Sequence, residues 1–158
     1  MKISQDTKYW LQIALANGLG PARLSNLLER FGTVENICQQ SVTALCNAGL
    51  TTTVAESLRS PAPARLDAAL QWLEQTNHHL IHWGHSDYPP LLQESPQSPF
   101  VLFVAGNPIL LSLPQIAIVG SRNATANGMA TAALFAHHLS SSGFIVTSGM
   151  ARGIDAAA

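Results

Sequence analysis

Charge is what this sequence has least of. Asp, Glu, Lys and Arg make up 11% of its 158 residues, against about a quarter in an average soluble domain. The formal net charge is −1. The broad basic footprint of a chain that coats nucleic acid is therefore missing, and any polyanion would have to be held by a few focused contacts. Lysine does not recur after Lys8. That excludes a Walker A loop, whose lysine reaches the terminal phosphates. After Gly120 the next glycine is Gly128, so the G-x-G-x-x-G dinucleotide fingerprint is absent. Cysteine is confined to Cys38 and Cys46. Without an export signal they are expected to be free thiols rather than a disulfide. The start, Met-Lys-Ile-Ser-Gln-Asp, has an early acid and no signal-peptide core, and no apolar run is long enough to span a bilayer. A cytoplasmic protein without a membrane span is expected.

Hydrophobic residues, at 47%, suffice for one domain or two small ones. The clearest pattern lies at the end of the chain, from Gln115 to Ala158. Ile116–Val119 is an apolar run that ends at Gly120. Met129–Leu139 is apolar at helical spacing, and Phe144–Val146 is a second run that ends near Ser148-Gly149. Strand, helix, strand in that order predicts a βαβ unit with parallel strands. With Phe100–Val104 and the run His79–Trp83, the C-terminal part offers about four strands, enough for a minimal sheet.

The loops after the two parallel strands hold the chemistry. From Ser95 onward the only Lys, Arg, Asp or Glu side chains are Arg122, Arg152 and Asp155. Arg122 follows Gly120-Ser121; Arg152 and Asp155 follow Ser148-Gly149 and flank Gly153. Ligands of open parallel sheets bind at the carboxyl ends of strands, where both loops fall. Gly120, Gly149 and Gly153 would let backbone approach a ligand. Ser121 and Ser148 supply hydroxyls, and the guanidinium fork matches phosphate oxygens. Together they predict an anion-binding cradle. Taken singly, each loop would read as a tight strand-to-helix turn with a solvated arginine. Asp155 would repel phosphate, so its expected role is orienting. Either it sits in a first helical turn, favoured by the helix dipole, or it partners Arg152 or Arg122.

The motifs IAIVGSR and IVTSGMARGIDAAA, with Gly128 in the helix between them, resemble the DprA/Smf family of bacterial DNA-processing proteins. Upstream, YPPLL at Tyr88–Leu92 and PFVLFVAGN at Pro99–Asn107 look like the same family's approach to its Rossmann-like domain. The resemblance is good over residues 87–158 and looser before. It implies a non-enzymatic protein that binds single-stranded DNA, helps load the RecA recombinase, serves natural transformation and needs no cofactor. It also implies that Gly120, Ser121, Arg122, Ser148, Gly149, Arg152 and Gly153 hold DNA phosphates, with Asp155 orienting the loops. The same Rossmann-like layout occurs in nucleoside-monophosphate phosphoribohydrolases of the lysine-decarboxylase-like type, which is the alternative. The sequence Ser-Gly-Met-Ala-Arg-Gly-Ile-Asp argues against it.

The N-terminal part reads as helices. They fall at Ser4–Ala16 and from Pro21 to Phe31, with Thr33 and Ser41 as N-caps of two short ones, then near Thr52–Leu58 and after Pro63 to Gln75. Leu15–Phe31 looks like a helix-hairpin-helix around Gly18-Leu19-Gly20, with Ala48-Gly49-Leu50-Thr51 as a decayed second copy. Gly18, Gly20 and Arg23 are thus candidates for a secondary DNA-phosphate contact; a plain bundle turn explains the glycines equally well. The resemblance supports a helical, SAM-like or helix-hairpin-helix domain here. The expected organisation is α/β: residues 1–75 helical, and residues 76–158 the first half of a Rossmann-like parallel sheet. The junction holds His78, His79, His82 and His85. They alternate along a strand and lack a completing cysteine or carboxylate, so no metal is expected. Tyr88, Trp83 and Phe100 could stack on bases or simply pack. The sequence stops inside a helix start at Asp155-Ala156-Ala157-Ala158. The expectation is an N-terminal fragment of a longer protein, homodimeric when complete.

Overall fold

Short helices need their first-turn N–H groups satisfied, and this chain does so with hydroxyls. The computed structural model describes residues 4–158. Helix α1 (Gln5–Leu15) is capped by Ser4, whose Oγ accepts from Thr7 N–H at 3.1 Å. Helices α3 (Val34–Gln39) and α4 (Val42–Asn47) are capped by Thr33 and Ser41, each at 3.1 Å. Thr51 caps α5 (Thr52–Arg59). Helices α2 (Pro21–Phe31) and α6 (Pro63–Leu73) open on proline instead, whose missing N–H costs nothing at that position.

Their apolar stripes meet in one core. Trp10 and Ile13 of α1, Leu24 and Leu27 of α2, Ile37 and Cys38 of α3, Leu45 of α4, and Val54, Ala55 and Leu58 of α5 are all buried in it. The loops between α1 and α2 and between α4 and α5 share a device. Gly18 (φ 80°) and Gly49 (φ 96°) take left-handed turns, and the following Leu19 and Leu50 tuck into the core.

Strands β1 (His78–His82) and β2 (Val101–Ala105) pair antiparallel, with Leu80 opposite Phe103. Leu80 and Val101 pack on the helical core. The His82 ring stacks on Trp10 with centroids 4.3 Å apart, and its Nε2 lies 3.3 Å from Asp6 Oδ2. Between the strands, beside the short helix α7 (Pro90–Gln93), Tyr88 is buried. Its hydroxyl contacts Ser98 Oγ at 2.6 Å and donates to the Pro99 carbonyl.

The chain divides into two compact units, Met1–Pro108 and Ile109–Ala158. The second begins within a 3-10 turn, Pro108–Ser112. Strands β3 (Gln115–Ala117) and β4 (Ile145–Thr147) are parallel, with Gln115 opposite Ile145 and Ala117 opposite Thr147. They are joined by α8 (Ala126–Ser141), which Thr125 caps. This is the expected βαβ unit. Helix α9 (Ile154–Ala157) follows.

One expectation needs correction. The four strands do not share a minimal sheet; among the described residues they form two separate pairs. Apolar runs identify strands but not their partners, and here β1 and β2 satisfy each other while packing on helices. No helix among the described residues is long and apolar enough to cross a membrane.

Candidate functional site

The loops that follow β3 and β4 lie against each other. Gly153 makes this contact: at φ 84° and ψ −127°, a Cβ on it would stand 2.1 Å from the Ser121 carbonyl oxygen. Only glycine fits there. The next residue continues the seam, with Ile154 N–H donating to Ser121 C=O at 3.2 Å. Gly120 is also pinned, since a Cβ there would fall 2.7 Å from the Ile154 side chain. These two glycines let loop meet loop, a nearer cause than approach to a ligand.

Asp155 completes the closure. Its Oδ1 accepts from Gly120 N–H and its Oδ2 from Gly149 N–H, each at 3.2 Å. One carboxylate thus bridges both loops. Of the two expected roles, Asp155 takes the place in a first helical turn, that of α9, and the pairing with Arg122 or Arg152 is not seen. Among the described residues the ion pairs are His82 with Asp6 and His85 with Asp87, and both arginines are exposed on their loops without an acidic partner. The hydroxyls are partly engaged. Ser148 Oγ donates to Ile118 C=O at 2.8 Å, and Ser121 Oγ accepts from Asn123 N–H at 3.1 Å, which leaves the Ser121 hydroxyl hydrogen to donate elsewhere. Gly120, Ser121, Arg122, Ser148, Gly149, Arg152, Gly153 and Asp155 therefore form one local constellation. Its outward-facing chemistry is two guanidiniums and a hydroxyl; its inward-facing chemistry is amides already bound to a carboxylate.

Sequence reasoning passed over Met150. It lies between the glycines of the second loop, at φ 54° and 92% exposed. A non-glycine residue in that backbone region is uncommon and points to a constrained site. The signal available was a large apolar residue inside a loop otherwise made of small residues and one arginine.

Gly18, Gly20 and Arg23 belong to the other unit. Arg23 Nη1 donates to Gly18 C=O at 2.7 Å, which braces the turn. Gly20 is the N-cap of α2 and gives no side-chain cap, whereas Thr51 caps α5 at the matching turn. An open cleft of about 360 Å³ lined by Gly18, Gly20, Pro21, Ala22, Arg23 and Gln97 adjoins the uncapped end. Two histidines of β1, His78 and His82, are used locally. His78 Nδ1 contacts Trp72 C=O at 2.7 Å and its ring stacks on Trp72. No group of three or more His, Cys, Asp or Glu placed to hold a metal ion is found among the described residues. Trp83 Nε1 donates to Ser98 Oγ at 3.3 Å, and the Trp83 ring meets Phe100 edge-on. With buried Tyr88, these aromatics form a packed cluster.

Comparison with known proteins gives a consistent answer. The model of the family described as DNA recombination-mediator protein A matches residues 79–158, from β1 through both loops. Protein Smf of Escherichia coli (strain K12) is 33% identical over 156 residues, covering 97% of this chain and 40% of its own length. Protein Smf of Synechocystis sp. (strain ATCC 27184 / PCC 6803 / Kazusa) is 30% identical over 162 residues, with the same coverage. The X-ray structure of DNA processing protein A (DprA) from Streptococcus pneumoniae superposes with a TM-score of 0.66 at 26% identity, over 99% of this chain and 53% of that one. The chain thus spans less than half the length of these curated relatives. It belongs to the DNA recombination-mediator protein A family, the DprA/Smf proteins.

Proposed function

We propose that this chain is part of a recombination mediator that binds single-stranded DNA through the β3 and β4 loops and catalyses no reaction. Its role would be to protect incoming DNA and help load the RecA recombinase during natural transformation, in the cytoplasm, as a homodimer. The observation that carries the binding reading is the Gly153–Ser121 seam: it sets two loops side by side, each bearing an exposed, unpaired arginine. Guanidiniums and a serine hydroxyl suit phosphate oxygens and carry no base code, so binding indifferent to sequence follows. Arg122, Arg152 and the Ser121 hydroxyl would meet successive phosphates, while Gly120, Ser148, Gly149 and Gly153 shape the two loops that carry them and Asp155 fixes those loops. The uncapped α2 end with Gly18, Gly20 and Arg23 is a secondary contact on this reading. We keep the division into a helical domain at residues 1–75 and a Rossmann-like domain at 76–158 as a proposal. The family match beginning at residue 79 favours it, although the contact-defined units part after Pro108.

The test is a titration of fluorescent oligo-dT and of matched duplex with the protein at two salt concentrations. The oligonucleotide should bind more tightly than the duplex. Arg122→Ala or Arg152→Ala should weaken binding alike for every sequence and lower the slope of log K against log salt by about 0.7, the single-strand value for one lost phosphate contact. Affinity and slope unchanged in both variants would sink the reading.

A further inference from the structure

We infer that Asp155 is the resident anion of the two-loop cradle, and that its carboxylate makes the site refuse small phosphates while leaving the outer arginines to a polymer backbone. The second clause rests on the DNA-binding reading above; the first does not.

The geometry is that of an occupied anion site. Backbone N–H groups from two separate loops, at Gly120 and Gly149, converge on the two oxygens of one carboxylate at 3.2 Å each. Amides arranged in this way are what a phosphate monoester or inorganic phosphate would use in an open Rossmann-like site. Here the donors are already satisfied, and by a group of the same charge as the ligand. Asp155 Oδ2 also sits close against Gly149, where an added Cβ would stand 3.0 Å from it. A terminal phosphate would have to displace a tethered anion that is held at high effective concentration and gains two charge-assisted hydrogen bonds. A phosphodiester in a chain has no such need. It can lie outside the amides, against Arg122, Arg152 and the Ser121 hydroxyl, and add contacts along its length. Asp155 is therefore a specificity determinant. It closes the inner, nucleotide-type subsite on a sheet otherwise suited to nucleotides. It also explains why the nucleoside-monophosphate hydrolase alternative fits poorly, since that substrate's phosphate would need these amides.

The experiment compares the wild-type protein with Asp155→Ser and Asp155→Asn, using inorganic phosphate, AMP and oligo-dT as probes, with binding read by calorimetry and folding by circular dichroism. Serine frees both amides and removes the charge. Asp155→Ser should bind inorganic phosphate and AMP roughly thirtyfold more tightly than wild type, the factor two regained amide bonds would give. Asp155→Asn keeps the shape and one acceptor, so its gain should be only severalfold. Should the serine variant fail to fold, the asparagine variant decides the matter. A folded variant no better at binding phosphate than wild type overturns the proposal, as does wild type binding phosphate as tightly as the serine variant. The oligo-dT arm separates the two readings. If wild type ignores oligo-dT but Asp155→Ser gains phosphate, the DNA reading falls and the resident anion stands. If wild type binds oligo-dT and neither variant gains phosphate, the reverse holds.

Discussion

Cys38 shows how strongly one buried group can tie stability to pH. It lies in the helical core at 3% exposure, and Arg59 donates to its backbone carbonyl. Burial pushes the thiol from its ordinary 9.0 up to about 12, with the Arg59 charge pulling modestly the other way. The folded state therefore holds the proton after the unfolded chain has released it. The resulting stability is present in full below pH 9.0 and is lost between there and about 12, at a rate of up to about 1.4 kcal/mol per pH unit. Urea unfolding of wild type and Cys38→Ala at pH 8 and pH 10.5 should show a steeper fall for wild type. Parallel falls would show that the thiol does not carry the effect. At this same scale the sequence exposed the site through scarcity: Arg122, Arg152 and Asp155 are the only strong charges in the last third of the chain. It did not expose what Asp155 binds. That depends on Gly153 reaching φ 84° and folding the second loop back onto Ser121, a long-range closure with no local signature. Met150 escaped for the same reason, because an exposed methionine looks ordinary until its backbone conformation is known.

At the scale of elements, the helices and the parallel β3–β4 pair were legible, and the partnership of β1 with β2 was not. Caps and prolines are local signals, and Thr33, Ser41, Pro21 and Pro63 stand where they start helices. Strand pairing is decided by what each strand packs on. The β1 run carries His82 to the Trp10 ring and Leu80 to the helical core, which draws the β1–β2 pair to the helices instead of to β3. The aromatics Tyr88, Trp83 and Phe100 follow suit: their hydroxyl and indole N–H are spent on Ser98 and Pro99, so packing accounts for them. Because five helices share one core, its elements should melt together. Leu27 of α2 is fully buried there. Leu27→Ala should cost about 2–5 kcal/mol and lower the denaturation midpoint equally by far-ultraviolet dichroism and by tryptophan fluorescence. Separate transitions by the two probes would mean that the hairpin and the helices fold independently.

For the molecule as a whole, the two units are built differently. Met1–Pro108 closes its apolar stripes on themselves, with only Leu91 and Phe103 as large apolar side chains left exposed among its described residues. Ile109–Ala158 does not. Helix α8 buries only Ala132 and Ala136, small residues one turn apart that let it lie close to β4. Leu134, on the opposite side, is 72% exposed, and Phe135, flanking the alanine stripe, is 61% exposed. A helix apolar on both sides belongs between two layers, yet here one side faces solvent. Val119, at 70% exposure beside the first loop, adds to the apolar surface of this unit. Exposed large apolar side chains of this kind favour dye binding and self-association where they adjoin. The 158-residue chain should therefore enhance the fluorescence of a hydrophobic dye and scatter light increasingly with concentration. Replacing Leu134 and Phe135 by lysine should lower the dye signal with the helical dichroism unchanged, because both side chains are largely exposed. If the double variant instead unfolds, the two side chains are structural and the outward face of α8 is misread. If it folds and binds as much dye as before, the apolar surface lies elsewhere, around Val119 and Met150 at the loops themselves.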